Sequence, residues 1–166
     1  MMTPTKKRSL KGQAFFYLSR REYSRVELAR KLAPWAESEA QLEIFLDELE
    51  AQSWLSAQRF ADSLLRRQAG RLGNARLLHE LKKHQLDEAV INHAHTQLQG
   101  SEYARAQVVW QKKFGHTVLL SKIENNCERA KERAKQMRFL LMRGFSADIA
   151  ARVVDTQAQS CGEILE

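Results

Sequence analysis

Four times along this chain an apolar residue stands directly before a capping residue: Tyr23-Ser24, Leu55-Ser56, Leu86-Asp87 and Phe145-Ser146. Four positions beyond each cap come Leu28, Phe60, Ile91 and Ala150. This is the spacing of a hydrophobic staple around a helix N-cap. The cap oxygen accepts from an otherwise unpaired backbone N–H and typically contributes ~1 kcal/mol. Ser24 with Glu27, and Ser38 with Gln41, add capping-box spacing. A chain that announces helix starts so regularly is written for an all-α fold. Its composition agrees. Only 2 prolines and 7 glycines interrupt 166 residues, and Ala, Leu, Arg, Lys, Gln and Glu outnumber the β-branched types.

Apolar periodicity predicts helices over about 10–20, 24–33, 38–52, 56–69, 73–84, 87–98, 101–114, 122–143 and 146–157. The echo between Arg21–Arg30 (REYSRVELAR) and Arg143–Arg152 (RGFSADIAAR) is a shared helix-start device. A longer match pairs Leu81–Val90 with Leu140–Ile149: a helix end, a four-residue break, a capped start and an apolar residue three after the cap. In the second copy Gly144 suits a left-handed position after the helix; in the first, Gln85 takes that place at a steric cost. Grouped in threes, the helices form units of about 45 residues, a period typical of repeat arrays. The expected architecture is three tandem three-helix modules, 10–55, 56–100 and 101–157, in an elongated, curved array with an N-terminal tail (1–9) and a C-terminal tail (158–166). Units this small lean on their neighbours for core.

Net charge is +7, which points to a polyanionic partner such as nucleic acid or an acidic surface. The charge is uneven. Pro34 to Ser53 holds six acids and no base, Arg59 to Lys83 seven bases against two acids, and Arg105 to Arg143 ten bases against three acids. Cys127 and Cys161 form no CxxC pair, and no apolar run approaches the ~20 residues of a membrane span. The expectation is a reduced, cytoplasmic monomer without a membrane partner.

Enzyme chemistry finds no foothold. His79 and His84 are five residues apart, about 140° around a helix, whereas two ligands on one face need i and i+4. The helix histidines are read as solvated, and no metal or other cofactor is expected. No phosphate-binding glycine loop occurs, and Cys127 sits beside Glu124 and Glu128, which oppose thiolate formation. Phe15, Phe16, Phe45, Trp54, Phe60, Trp110, Phe114 and Phe139 fall at apolar helix positions and are read as core, with Trp35 partly exposed after Pro34. The basic clusters remain. Arg66, Arg67, Arg71 and Arg76 bracket the Gly70–Gly73 turn; Lys82-Lys83, Lys112-Lys113 and Arg143 complete the candidate binding residues.

Several segments, in this order and spacing, resemble the RecX family: Tyr23–Leu32 (YSRVELARKL), Trp54–Ala61 (WLSAQRFA), Arg76–Leu81 (RLLHEL), Lys112–Gly115 (KKFG) and Arg138–Ser146 (RFLLMRGFS). The likeness runs from about residue 12 to 154. It departs where Ser53 replaces a usual glycine, where Gln85-Leu86 replaces a common Gly-Ile, and where Asn74 replaces a common Gly-Pro. All three lie at helix ends. The resemblance implies a non-enzymatic regulator that binds the RecA nucleoprotein filament and inhibits its recombinase, ATPase and co-protease activities, touching DNA weakly or indirectly. The alternative is a free-standing DNA-binding regulator built from helix-turn-helix-like units. The helices that would read bases, 38–52 and 87–98, lack clustered Arg, Asn and Gln, and the first is acidic.

Overall fold

The computed structural model of the chain describes residues 9–116 and 123–159. Most of both expected tails, and Cys161, lie outside the described residues. All regular structure among the described residues is helical: α1 Leu10–Leu18, α2 Arg25–Leu32, a 3-10 turn Ala33–Trp35, α3 Glu39–Ala51, α4 Ala57–Gln68, α5 Asn74–Lys82, α6 Glu88–Leu98, α7 Glu102–Phe114, α8 Asn126–Met142 and α9 Ala147–Gln159. No described helix is long and apolar enough to cross a membrane. The chain divides into two compact units, Met1–Leu64 with Leu81–Ile91, and Leu65–Glu80 with Asn92–Glu166.

Ser24, Ser38 and Ser56 cap their helices as the sequence predicts. Ser24 Oγ accepts from Glu27 N at 3.2 Å, Ser38 Oγ from Gln41 N at 3.2 Å and Ser56 Oγ from Arg59 N at 3.3 Å. Four helix limits differ from expectation by two residues or more, among them the end of α5 at Lys82 rather than 84 and of α9 at Gln159 rather than 157. The first helix ends at Leu18 rather than 20, where Ser19 turns its hydroxyl back to Phe16 O at 3.1 Å. The eighth begins at Asn126 rather than 122, because Asn125 Oδ1 accepts from Cys127 N and Glu128 N at 2.9 and 3.3 Å. An asparagine side chain that satisfies these N–H groups sets a helix start where apolar spacing alone does not.

The first unit buries Ala14, Tyr23, Leu28, Leu32, Leu42, Leu46, Leu49 and Leu55. Trp54 is not core as expected: it is 52% exposed and meets Phe15 edge-on at 5.0 Å. The reason lies in the turn before it. Ser53 has φ 59°, and Trp54 N returns to Leu49 O at 2.8 Å, a left-handed helix stop that swings the indole outward. His84 also departs from the solvated reading. It is half-buried, 3.0 Å from the buried Ser24 Oγ, with its ring 4.7 Å from Phe60.

Ser53 and Gln85 (φ 52°) are the two non-glycine residues of positive φ among the described residues. Both occupy places where the family resemblance predicts glycine. A left-handed L-residue costs roughly 1–2 kcal/mol. Gln85→Gly is therefore expected to stabilise the fold by about 0.5–1 kcal/mol after the unfolded-state entropy of glycine is subtracted. Urea midpoints of the two proteins measure it.

Glu27 titrates with the fold. Burial opposes its ionisation, but hydrogen bonds and charge from Arg21 overcome this and hold the carboxyl below its ordinary value of 4.5. The Arg21 guanidinium donates to both carboxylate oxygens and lies 3.8 Å over the Tyr23 ring. A depressed folded-state value contributes stability that is complete above the ordinary value and lost as pH falls through the lower one. Glu27→Gln is expected to flatten this part of the acid-unfolding curve followed by circular dichroism.

Candidate functional site

The second unit is assembled around one aromatic seam. Trp110, Phe114, Leu140, Phe145, Val153 and Val154 are buried together, and Phe139 meets Phe114 edge-on at 5.1 Å. Gln136, only 1% exposed, would be costly here without a partner; its Oε1 accepts from Trp110 Nε1 at 2.9 Å. This core holds the turn from α8 to α9 in place.

Against that turn lies the loop from α4 to α5. Gly73 N donates to Arg143 O at 2.8 Å and Ala75 N to Gly144 O at 3.2 Å. Unpaired N–H groups at the start of α5 thus meet unpaired carbonyls at the end of α8, so each helix satisfies the other's terminus. Gly144 stops α8 with φ 85°, as expected for a left-handed position, and Phe145 N reaches back to Leu140 O at 3.3 Å. The two backbones are too close for side chains. A Cβ on Gly73 would lie 2.2 Å from Gly144 C and O, and one on Gly144 would lie 2.5 Å from Arg76 Cβ.

Arg105 of α7 locks the loop from the other side. Its Nη1 donates to Ala69 O at 3.1 Å and Leu72 O at 2.7 Å, its Nε to Ser101 Oγ at 3.2 Å, and its Nη2 to Asn74 Oδ1. Burial pushes the pKa of this guanidinium below its ordinary value, and the Glu102 carboxylate opposes the shift. Glu102 Oε1 accepts from Asn74 N at 3.2 Å and Ser146 N at 3.3 Å. One carboxylate therefore serves the positive ends of two helices, α5 and α9. The loop closes with Arg76 Nη1 donating to Met142 O at 2.8 Å and Arg143 Nη1 to Arg71 O at 3.2 Å.

The candidate residues separate accordingly. Arg71, Arg76 and Arg143 come together at this double turn. Arg71 and Arg76 are exposed, whereas Arg143 is half-buried and stacks 4.6 Å over Phe139. Arg76 and Arg143 each spend one nitrogen on a carbonyl, so both position the turn as well as adding charge. Arg66 and Arg67 stand exposed in the last turn of α4, where cations favour the helix dipole, and Arg67 has a further interaction within the chain. Lys112 and Lys113 take the equivalent place on α7. Lys82 and Lys83 are exposed but belong to the first unit. The cationic element is thus a rigid turn bearing Arg66, Arg67, Arg71 and Arg76, with Lys112-Lys113 on a separate helix end. It offers guanidinium donors to carboxylates or phosphates. Sequence reasoning missed Arg105 and Glu102, since nothing distinguishes them from surface charges on a helix. The available signal was the glycine in each turn, at 73 and 144.

The family model described as "RecX, third three-helix domain" matches residues 101–154. The chain is 46% identical to regulatory protein RecX of Ralstonia pickettii (strain 12J) over 93% of its own length and 91% of that protein's. It is 48% identical to regulatory protein RecX of Herminiimonas arsenicoxydans over 83% and 85% of the two chains. Among solved structures it resembles the crystal structure of RecX from Lactobacillus salivarius with TM-score 0.70 at 17% identity, covering 90% of this chain and 95% of that one. At that identity the likeness speaks for the fold, an all-helical array of three-helix repeats.

Proposed function

The chain belongs to the RecX family of regulatory proteins, and we propose that it binds the RecA nucleoprotein filament and inhibits its recombinase, ATPase and co-protease activities. The observation that carries this reading is identity of 46% along nearly the whole chain to a regulatory protein of that family. Three modules, 10–55, 56–100 and 101–157, each supply a contact, and the protein acts by occupancy, without a chemical step. Linked weak contacts multiply through effective concentration, so a small basic monomer can hold a polymer made of many subunits. Arg66, Arg67, Arg71 and Arg76 on the braced turn, with Lys82, Lys83, Lys112 and Lys113, supply donors to acidic side chains of the filament or to phosphates of its DNA. Arg143 serves mainly by holding the turn. The protein works in the cytoplasm, where its partner is.

The test is the ATPase rate of the cognate recombinase on single-stranded DNA. A fall at substoichiometric protein is expected, and an unchanged rate at large molar excess would sink the proposal. Arg66→Glu with Arg71→Glu is expected to weaken filament binding about tenfold, the equivalent of ~1.4 kcal/mol. Both side chains are exposed, so circular dichroism should be unchanged. A salt titration separates the two kinds of contact, since phosphate contacts give a steep, sequence-independent slope. Preference for one duplex sequence would favour the DNA-binding alternative.

A further inference from the structure

Helix α8 ends on two apolar residues that its core does not use. Gln136 and Leu140 are buried, and Met137 and Phe139 pack against the core of the second unit, whereas Leu141 is 44% and Met142 70% exposed. A lone exposed apolar residue is ordinary on a protein surface. These two are consecutive, and cations surround them. Arg138 stands one helix turn before them and is exposed. Arg76 Nη1 reaches the carbonyl of Met142 itself, at 2.8 Å. Arg143 follows directly, stacked on Phe139, with its Nη1 on Arg71 O at 3.2 Å. The acids of the adjoining elements offset little of this charge. Glu102 is spent on Asn74 N and Ser146 N, and Glu132 pairs with Lys135 at 3.0 Å. Glu80, one turn along α5 from Arg76, is half-buried and has an interaction within the chain. Asp148, in the first turn of α9, is exposed, and against it stand the four guanidinium groups of Arg71, Arg76, Arg138 and Arg143.

We infer that this end of α8 binds a protein segment that carries carboxylates around an apolar side chain, the apolar side chain against Leu141 and Met142 and the carboxylates on Arg71, Arg76 and Arg138. The excess of positive charge selects an anionic occupant, and the guanidinium fork suits a carboxylate. The apolar pair decides between the two anionic classes. Contact with a phosphate backbone leaves Leu141 and Met142 without a partner. The neighbouring rings, Phe139 and Phe145, belong to the core, so none is offered to a base. A protein interface, by contrast, has an apolar centre and is enriched in methionine and arginine, and arginine clusters read acidic motifs. The inference deepens the filament reading and rests on it for the partner's identity: at this turn the arginines meet the filament's protein rather than its DNA.

The probe is a fluorescein-labelled Leu/Glu peptide of about four helical turns, titrated with the full-length protein and followed by anisotropy. A Ser/Glu peptide of the same charge and labelled oligothymidylate are the comparisons. The Leu/Glu peptide is expected to bind at least about tenfold more tightly than the Ser/Glu peptide. Leu141→Ser with Met142→Ser is expected to abolish that difference, and Arg71→Glu with Arg138→Glu to weaken the Leu/Glu peptide about tenfold, both with an unchanged circular dichroism spectrum. Equal binding of the two peptides to the wild-type protein overturns the inference whether or not the variants fold. So does a preference that survives in the first folded variant, or unaltered binding to the second. A loss of oligothymidylate binding in the first variant as large as its loss of peptide binding overturns it too, since the apolar pair would then be a wedge in nucleic acid. The recombinase ATPase assay separates this inference from the reading it rests on. Inhibition without a peptide preference defeats the inference alone. A peptide preference without inhibition defeats the filament reading and leaves the acidic-apolar site in place.

Discussion

Gly73→Ala is expected to destabilise the second unit by about 3 kcal/mol or more, beyond the usual cost of an added methyl group. The new Cβ would sit 2.2 Å from Gly144 C, Gly144 O and Phe145 N, all backbone atoms that no rotamer change can move. Relief requires the two turns to part, and this breaks the bonds from Gly73 N to Arg143 O and from Ala75 N to Gly144 O. For a chain of this size the melting midpoint should fall by roughly 10 °C. Gly70→Ala is the matched control: its Cβ would meet nothing within 4 Å, and a change within about 0.5 kcal/mol is expected. Equal melting of the two variants would refute the backbone-to-backbone docking. Because Arg71 and Arg76 ride on the displaced loop, Gly73→Ala should also weaken filament inhibition while leaving every cation in place.

Arg105→Ala is expected to cost about 3 kcal/mol. Its guanidinium supplies donors to Ala69 O, Leu72 O, Ser101 Oγ and Asn74 Oδ1, and its removal leaves acceptors in a partly desolvated place without partners. Glu102 then loses the positive charge beside it. Lysine cannot substitute, because one ammonium cannot span four acceptors held in a plane-like fork. Arg105→Lys should therefore recover less than half of the loss in urea unfolding. Recovery close to wild type would mean that charge alone holds the loop.

Much of this was legible in the residues. The stapled caps at Ser24 and Ser56 placed helix starts correctly because a cap is a local device: its oxygen reaches an N–H two or three residues away. Gln85 aligns with Gly144 in the internal match, and both have positive φ. Trp54 is turned outward by the left-handed stop at Ser53, which its apolar spacing does not show. His84 is covered by residues distant in sequence, Ser24 and Phe60, which no local pattern reveals. The basic clusters were visible as clusters, but not their division of labour. Arg143 and Arg105 share their residue type with Arg66, yet they are spent on carbonyls of other segments.

Helical class, helix starts and the uneven distribution of charge follow from short-range chemistry, namely caps, periodicity and composition, and so could be read without coordinates. Which cations brace the α4–α5 loop, which face solvent, and which acids of α3 pair with Arg25 all depend on contacts between segments tens of residues apart. Those contacts exist only once the chain has packed, because burial and neighbouring carbonyls, rather than residue type, determine what a given arginine or glutamate has left to offer a partner.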